Sequence, residues 1–172
     1  MEKEALFVVD MQNDFSHPKG ALFLPKNLKI IPKIKKEIEK SREKNRKIVF
    51  TQDWHQKDDK EFKIWPKHCI ENTWGAEIVK ELTPQKGDLV IKKKTYSAFF
   101  ETNLDKILKR LEIKKLIFTG CVTNICILFT TFDAFKLGYE IFIKKDCLGY
   151  LDKKSHNFAL KLMEKAFGAK YV

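Results

Sequence analysis

The chain has 172 residues, 44% of them hydrophobic and 33% charged, with a net charge of +11. That size and apolar share predict a single folded domain over residues 1–172 and exclude a disordered chain. The basic excess does not read as a nucleic-acid surface, because lysines interleave with glutamates, as in Lys33-Ile34-Lys35-Lys36-Glu37-Ile38-Glu39-Lys40, and arginine is rare.

The predicted elements alternate along the chain. Residues 5–10 (ALFVVD) are an apolar run ending in a carboxylate, the pattern of a buried strand. Ile31, Ile34 and Ile38 fall at helical spacing within 30–45, with Pro32 in the first turn. Residues 47–53 (KIVFTQD) predict a second strand, and 54–73 form a polar, aromatic stretch without a period. Residues 88–92 (DLVIK) predict a third strand. Leu104, Ile107, Leu108 and Leu111 mark an amphipathic helix capped by Thr102 or Asn103. Residues 115–120 (KLIFTG) give a fourth strand, 124–137 an almost wholly apolar helix, and 139–144 (YEIFIK) a fifth strand. A last helix carries Ala159, Leu162, Met163, Ala166 and Phe167 on one face, and a short strand follows Gly168. Short apolar strands alternating with helices predict an α/β fold: three αβα layers around a mostly parallel sheet of five or six strands.

No apolar run approaches the ~20 residues that span a bilayer. The N-terminus, MEKEALFVVD, lacks the pattern of a signal peptide. A cytoplasmic location and no membrane partner are the expectation. The four cysteines (Cys69, Cys121, Cys126 and Cys147) show no disulfide-framework spacing.

Open parallel sheets bind ligands at the carboxyl ends of their strands. Asp10 ends the first predicted strand, and Asp53 ends the second with His55 just beyond. Lys92, Lys93 and Lys94 end the third, and the turn after the fourth leads to Cys126. A carboxylate, a carboxylate with an imidazole, an ammonium and a thiol thus converge on one edge as a candidate site. Taken from the residues alone, Cys126 is either packing in an apolar helix or a nucleophile. A helix start and a neighbouring ammonium would lower a thiol pKa, and free N–H groups there can hold an oxyanion. Cys121, Cys69 and Cys147 read as packing. Asp10 is either a general acid and base or an anchor for a loop. Asp53 and His55 project to the same side of an extended segment, and His68 lies on the same long loop, with Glu61 available as a further ligand. One carboxylate and two imidazoles suit Zn²⁺, Fe²⁺ or Mn²⁺.

Four segments, in order, resemble the isochorismatase-like cysteine hydrolase superfamily and, within it, the nicotinamidases. Asp10-Met11-Gln12-Asn13-Asp14-Phe15 is similar to the opening D-x-Q-N-D-F. Asp53-Trp54-His55, followed by Trp65-Pro66-Lys67-His68-Cys69, resembles the nicotinamidase metal loop. Lys93-Lys94-Thr95-Tyr96-Ser97-Ala98-Phe99 is similar to K-x-x-Y-S-A-F, and Thr119 to Cys126 to T-G-x-x-T-x-x-C. The resemblance implies a triad of Asp10, Lys93 and Cys126, with Lys94 the fallback for the lysine. It implies oxyanion donors at Thr123 and Cys126 and a non-proline cis peptide at Val122–Thr123. It further implies a divalent metal, zinc first, on Asp53, His55 and His68 with Glu61, and a substrate ring held by Phe15 and Trp65. Relatives of this kind self-associate, so a homodimer or higher homo-oligomer is an expectation.

The activity so implied is hydrolysis of a small-molecule amide, nicotinamide, to nicotinate and ammonia through a thioester on Cys126. The metal would hold the ring nitrogen, and Asp10 would move the protons with Lys93 favouring the thiolate. Pyrazinamide-type analogues should fit the same site. A carbamoyl- or ureido-group amidohydrolase would keep the triad and need no metal loop. Isochorismatases lack the cysteine. A non-catalytic binding protein on the same fold would need none of the three.

Overall fold

The computed structural model describes residues 3–172. Six strands form one all-parallel sheet in the order β3-β2-β1-β4-β5-β6. They are β1 (Lys3–Val9), β2 (Lys47–Asp53), β3 (Leu89–Lys93), β4 (Ile113–Gly120), β5 (Glu140–Leu148) and β6 (Lys170–Tyr171). The helices are α1 (Asn13–Ser16), α2 (Pro25–Glu43), α3 (Leu104–Arg110), α4 (Leu128–Lys136) and α5 (Lys153–Phe167). Among the described residues, no helix is long and apolar enough to cross a membrane.

Successive strand side chains point to opposite faces, so a strand buried on both sides must be apolar throughout. β1 shows the consequence. Ala5, Phe7 and Val9 enter one core with Val49, Phe118 and Ile143, against α3, α4 and α5. Leu6 and Val8 enter the other with Ile48, Phe50 and Ile117, against Ile30, Ile34 and Ile38 of α2. These are the three layers that the alternating pattern predicted.

α2 begins at Pro25, not at residue 30, which moves Pro32 from the first turn to the helix interior. An interior proline costs about 3 kcal/mol. Ile30, Ile31, Ile34 and Ile38 are all buried on this helix, and each such side chain contributes roughly 1.5–3 kcal/mol, which outweighs it.

The sheet order reverses between β1's two neighbours, β2 and β4. That reversal opens a crevice at the carboxyl ends of β1 and β4, where ligands bind in this architecture. Two details shape it. Gly120, at φ 106°, leaves no room for a side chain: a Cβ would stand 2.1 Å from the Val9 carbonyl oxygen. β5 bulges between Ile143 and Leu148, whose partners Phe118 and Gly120 lie only two residues apart. The bulge brings Gly149 to the crevice, where its N–H donates to Gly120 O at 2.8 Å.

Candidate active site

Asp10 follows the last residue of β1 at φ 50° and is almost fully buried. Thr51 of β2 donates its hydroxyl to Asp10 Oδ1 at 2.5 Å. Lys93 ends β3 in register with Asp53 of β2. Its ammonium is buried 2.9 Å from Asp10 Oδ2 and 3.6 Å from Cys126 Sγ. It also donates to Asp53 Oδ1 and, at 3.0 Å, to Thr95 O. The neighbouring lysines point elsewhere. Lys92 lies over the Trp54 ring at 3.5 Å, and Lys94 is exposed. Asp10, Lys93 and Cys126 therefore meet in one buried cluster, as strand register allowed one to expect.

Cys126 sits in a π-turn, Thr123–Ile127, that precedes α4, where the sequence pattern had read a regular helix from residue 124. The non-proline cis peptide is Cys121–Val122, one bond before the position implied by the resemblance. Thr123 is not placed as an oxyanion donor. Its N–H donates to Gly149 O at 3.0 Å and its hydroxyl to the same oxygen at 2.8 Å, both made possible by the β5 bulge.

Burial governs the charge state. It raises the Asp10 carboxyl above its ordinary value, with Asp53 adding and Lys93 opposing. Burial works against the Lys93 ammonium, but Asp10 and Asp53 more than compensate and hold its pKa well above the usual lysine value. Burial also pushes the Cys126 thiol well above its ordinary value. Lys93 pulls it down, while Asp10 and Asp53 push it further up. The expected depression of this thiol is thus reversed, because burial, with the two carboxylates adding to it, outweighs the pull of the ammonium. The structure sets a Cys126 thiol of raised pKa beside an Asp10 carboxyl of raised pKa.

Next to this cluster, ligand atoms of Asp53, His55 and His68 all lie within 4.8 Å of one another. Asp53 Oδ2 stands 4.0 Å from His55 Nε2, and Glu61 Oε1 3.7 Å from His68 Nε2. Each imidazole is tied by its other nitrogen: His55 Nδ1 to Asp59 Oδ2 at 3.1 Å, His68 Nδ1 to Pro66 O at 2.8 Å. Both acceptors place the proton on Nδ1 and turn the Nε2 lone pair inward. His55 Nε2 is fully buried with no hydrogen-bond partner. An unpaired buried nitrogen beside a carboxylate and a second imidazole fits a divalent cation. Asp10, Asp53 and Cys126 are also close together, but the Lys93 ammonium already occupies that cluster as its cation.

A cavity of about 300 Å³ opens onto both groups. Asp53, Glu61, His68 and Cys126 contribute polar groups to its wall, and Phe15, Leu24, Trp65, Tyr96, Val122 and Ile125 are among its apolar lining. Trp65 Nε1 donates to the Tyr96 hydroxyl at 3.2 Å, which fixes one side.

An isochorismatase domain model matches residues 4–170. The chain belongs to the isochorismatase family. The crystal structure of a pyrazinamidase of Pyrococcus horikoshii in complex with zinc is similar over 99% of this chain and 98% of that one, with 38% identity and a TM-score of 0.93. The N-carbamoylsarcosine amidase of Thermoplasma acidophilum is similar over 98% and 95%, with 34% identity and a TM-score of 0.90. An uncharacterised isochorismatase family protein of Bacillus subtilis is 34% identical over 94% of this chain and 88% of its own length. The family's amidohydrolases thus differ in substrate on one fold.

In this isochorismatase-family chain the opening motif serves the site through its backbone, a role that reading the sequence missed. Gln12 Nε2 donates to Asp53 O at 2.8 Å and to Ala76 O at 2.9 Å, and Asp53 N–H returns a bond to Gln12 Oε1 at 2.8 Å. Asp14 Oδ2 accepts from Cys69 N–H at 2.7 Å, beside His68, and Oδ1 accepts from Ala21 N–H at 3.0 Å. A glutamine and an aspartate inside an apolar opening were the available signal, since buried polar groups need partners. Apart from Ala21, seven residues on, their partners lie 41 to 64 residues away, beyond any local pattern.

Proposed function

We propose that the protein is a nicotinamidase, hydrolysing nicotinamide to nicotinate and ammonia through a thioester on Cys126. The observation that carries the choice of substrate is the unpaired, buried Nε2 of His55, with ligand atoms of Asp53 and His68 within 4.8 Å and Glu61 facing His68, beside a cavity walled by Phe15 and Trp65. Amide hydrolysis alone needs no such group. Asp53, His55 and His68, with Glu61, would hold a divalent cation, zinc first. When bound it would supply a Lewis acid that fixes a pyridine nitrogen and so orients the carboxamide.

The chain's own residues account for the proton movements. Asp10 accepts the Cys126 proton as Sγ attacks the amide carbon, and its raised pKa makes it the stronger base for a thiol that burial holds protonated. The C–S bond forms, and the carbonyl electron pair moves to oxygen, where the N–H of Cys126, in the turn that precedes α4, would stabilise it. Lys93 keeps its proton and balances the charge of Asp10 and Asp53 throughout. Collapse of the adduct breaks the C–N bond, and Asp10 returns the proton to the leaving ammonia. Asp10 then takes a proton from water as the water attacks the thioester. The C–S bond then breaks, nicotinate leaves, and Asp10 returns its proton to the Cys126 sulfur.

The likeness to an N-carbamoylsarcosine amidase favours a second reading, in which the same triad acts on a carbamoyl or ureido group. Ammonia release from nicotinamide, from N-carbamoylsarcosine and from ureidoacrylate, each before and after chelation, separates the two. Release from nicotinamide that chelation abolishes and zinc restores supports the proposal. No release from nicotinamide with zinc present overturns it.

A further inference from the structure

The loop carrying the proposed ligands contains a carboxylate that the mechanism does not use. Asp59 precedes the short 3-10 turn Lys60–Lys63 and is largely shielded from solvent. Its two oxygens serve different partners. Oδ2 lies 3.1 Å from His55 Nδ1, and Oδ1 accepts from the Glu61 N–H at 2.9 Å. The first contact selects the Nδ1–H tautomer of His55 and aims the orphaned Nε2 at Asp53. The second starts the turn whose residue Glu61 faces His68 Nε2. His68 has its own orienting acceptor in Pro66 O, so it does not depend on Asp59.

From this geometry we infer that Asp59 is the positioning residue of the metal centre, one carboxylate setting both an imidazole and a carboxylate that bind the cation. The inference rests on the divalent-cation reading given under Proposed function. It goes beyond that reading because the cap of a short surface turn would ordinarily be a local structural device. A cap needs one oxygen near the Glu61 N–H. It does not need the second oxygen on a fully buried imidazole. Orienting partners of this type change metal affinity by about 10- to 100-fold when removed.

Two substitutions separate the roles. Asp59→Ser keeps a good capping oxygen but is too short to reach His55. Asp59→Asn keeps the size and a single oxygen, which cannot serve both partners, and removes the charge. Zinc is titrated into the chelator-treated proteins against a chromogenic competitor, and each zinc-free protein is melted. The expected result is one zinc per wild-type chain, affinity lower by about 10- to 100-fold in Asp59→Ser, and an intermediate loss in Asp59→Asn. The zinc-free melting temperatures should stay close to wild type. Wild-type affinity in both variants would overturn the inference and leave Asp59 a cap. If Asp59→Ser does not fold, wild-type affinity in Asp59→Asn overturns it alone. Absence of zinc binding by the wild type would overturn the cation reading, and this inference with it.

Discussion

Replacing Lys93 by methionine removes the cation held between two buried carboxylates while keeping nearly the same side-chain length. Lys93 Nζ is 2.9 Å from Asp10 Oδ2 and also bonds Asp53 Oδ1. At 2.9 Å the attraction to Asp10 alone is about 6 kcal/mol with an effective dielectric of about 20. Relief of the ammonium's own desolvation returns part of this, so the net loss at neutral pH is about 3–5 kcal/mol, as for other broken buried pairs. For a chain of this size that lowers Tm by roughly 6–20 °C. The pH dependence has a definite sign. Burial and Asp53 already raise the folded pKa of Asp10, and Lys93 is what opposes them. Without Lys93 that pKa rises further above its unfolded value. The folded state then gains stability as pH falls through the raised pKa, so the penalty is largest near pH 8 and shrinks toward pH 5. Thermal melts of both proteins in chelator, across that range, test this. A variant melting within about 2 °C of the parent at every pH would refute the buried-cation reasoning.

Cys126→Ala should cut turnover by at least about 10³-fold in an ammonia-release assay, since it removes the thiol that lies 3.6 Å from the Lys93 ammonium. Trp65→Ala should raise KM about 2- to 10-fold with a smaller change in kcat, the equivalent of a ring contact of ~0.5–1.5 kcal/mol, read from initial rates against nicotinamide. Gly75→Ala places a Cβ 2.1 Å from Asp14 Oδ2 and displaces the carboxylate that holds Cys69 beside His68. It should cost about 1–3 kcal/mol in a thermal melt and weaken zinc binding in a chelator competition.

The strands were legible because burial on both faces forces continuous apolar runs, and ALFVVD and KLIFTG can be little else. The site followed from them: with the strand ends placed, Asp10, Asp53, Lys93 and Cys126 could only converge on one edge. The two-residue period of a strand separated Lys92 from Lys93, whereas Lys94 stayed a fallback in the sequence and only the structure turns it to solvent. What escaped the sequence depends on contacts between distant segments. The β5 bulge, which delivers Gly149 to Thr123 and so engages the N–H expected to serve as an oxyanion donor, is a register shift with no local signature. The raised pKa of Cys126 depends on how completely the thiol is buried and on the two carboxylates that add to that effect. Pro32 was misplaced because a proline normally marks a helix start, and here Pro25 had already provided it.

The central claim is that nicotinamide is converted through an acyl group on Cys126. Turnover of nicotinamide by the zinc-loaded protein in the presence of hydroxylamine tests it most directly, because a thioester partitions between water and the added nucleophile. Nicotinohydroxamate should form at the expense of nicotinate, in proportion to hydroxylamine, and neither product should form with Cys126→Ala. Nicotinate formed with no hydroxamate at any hydroxylamine concentration, or either product formed by Cys126→Ala, would contradict it.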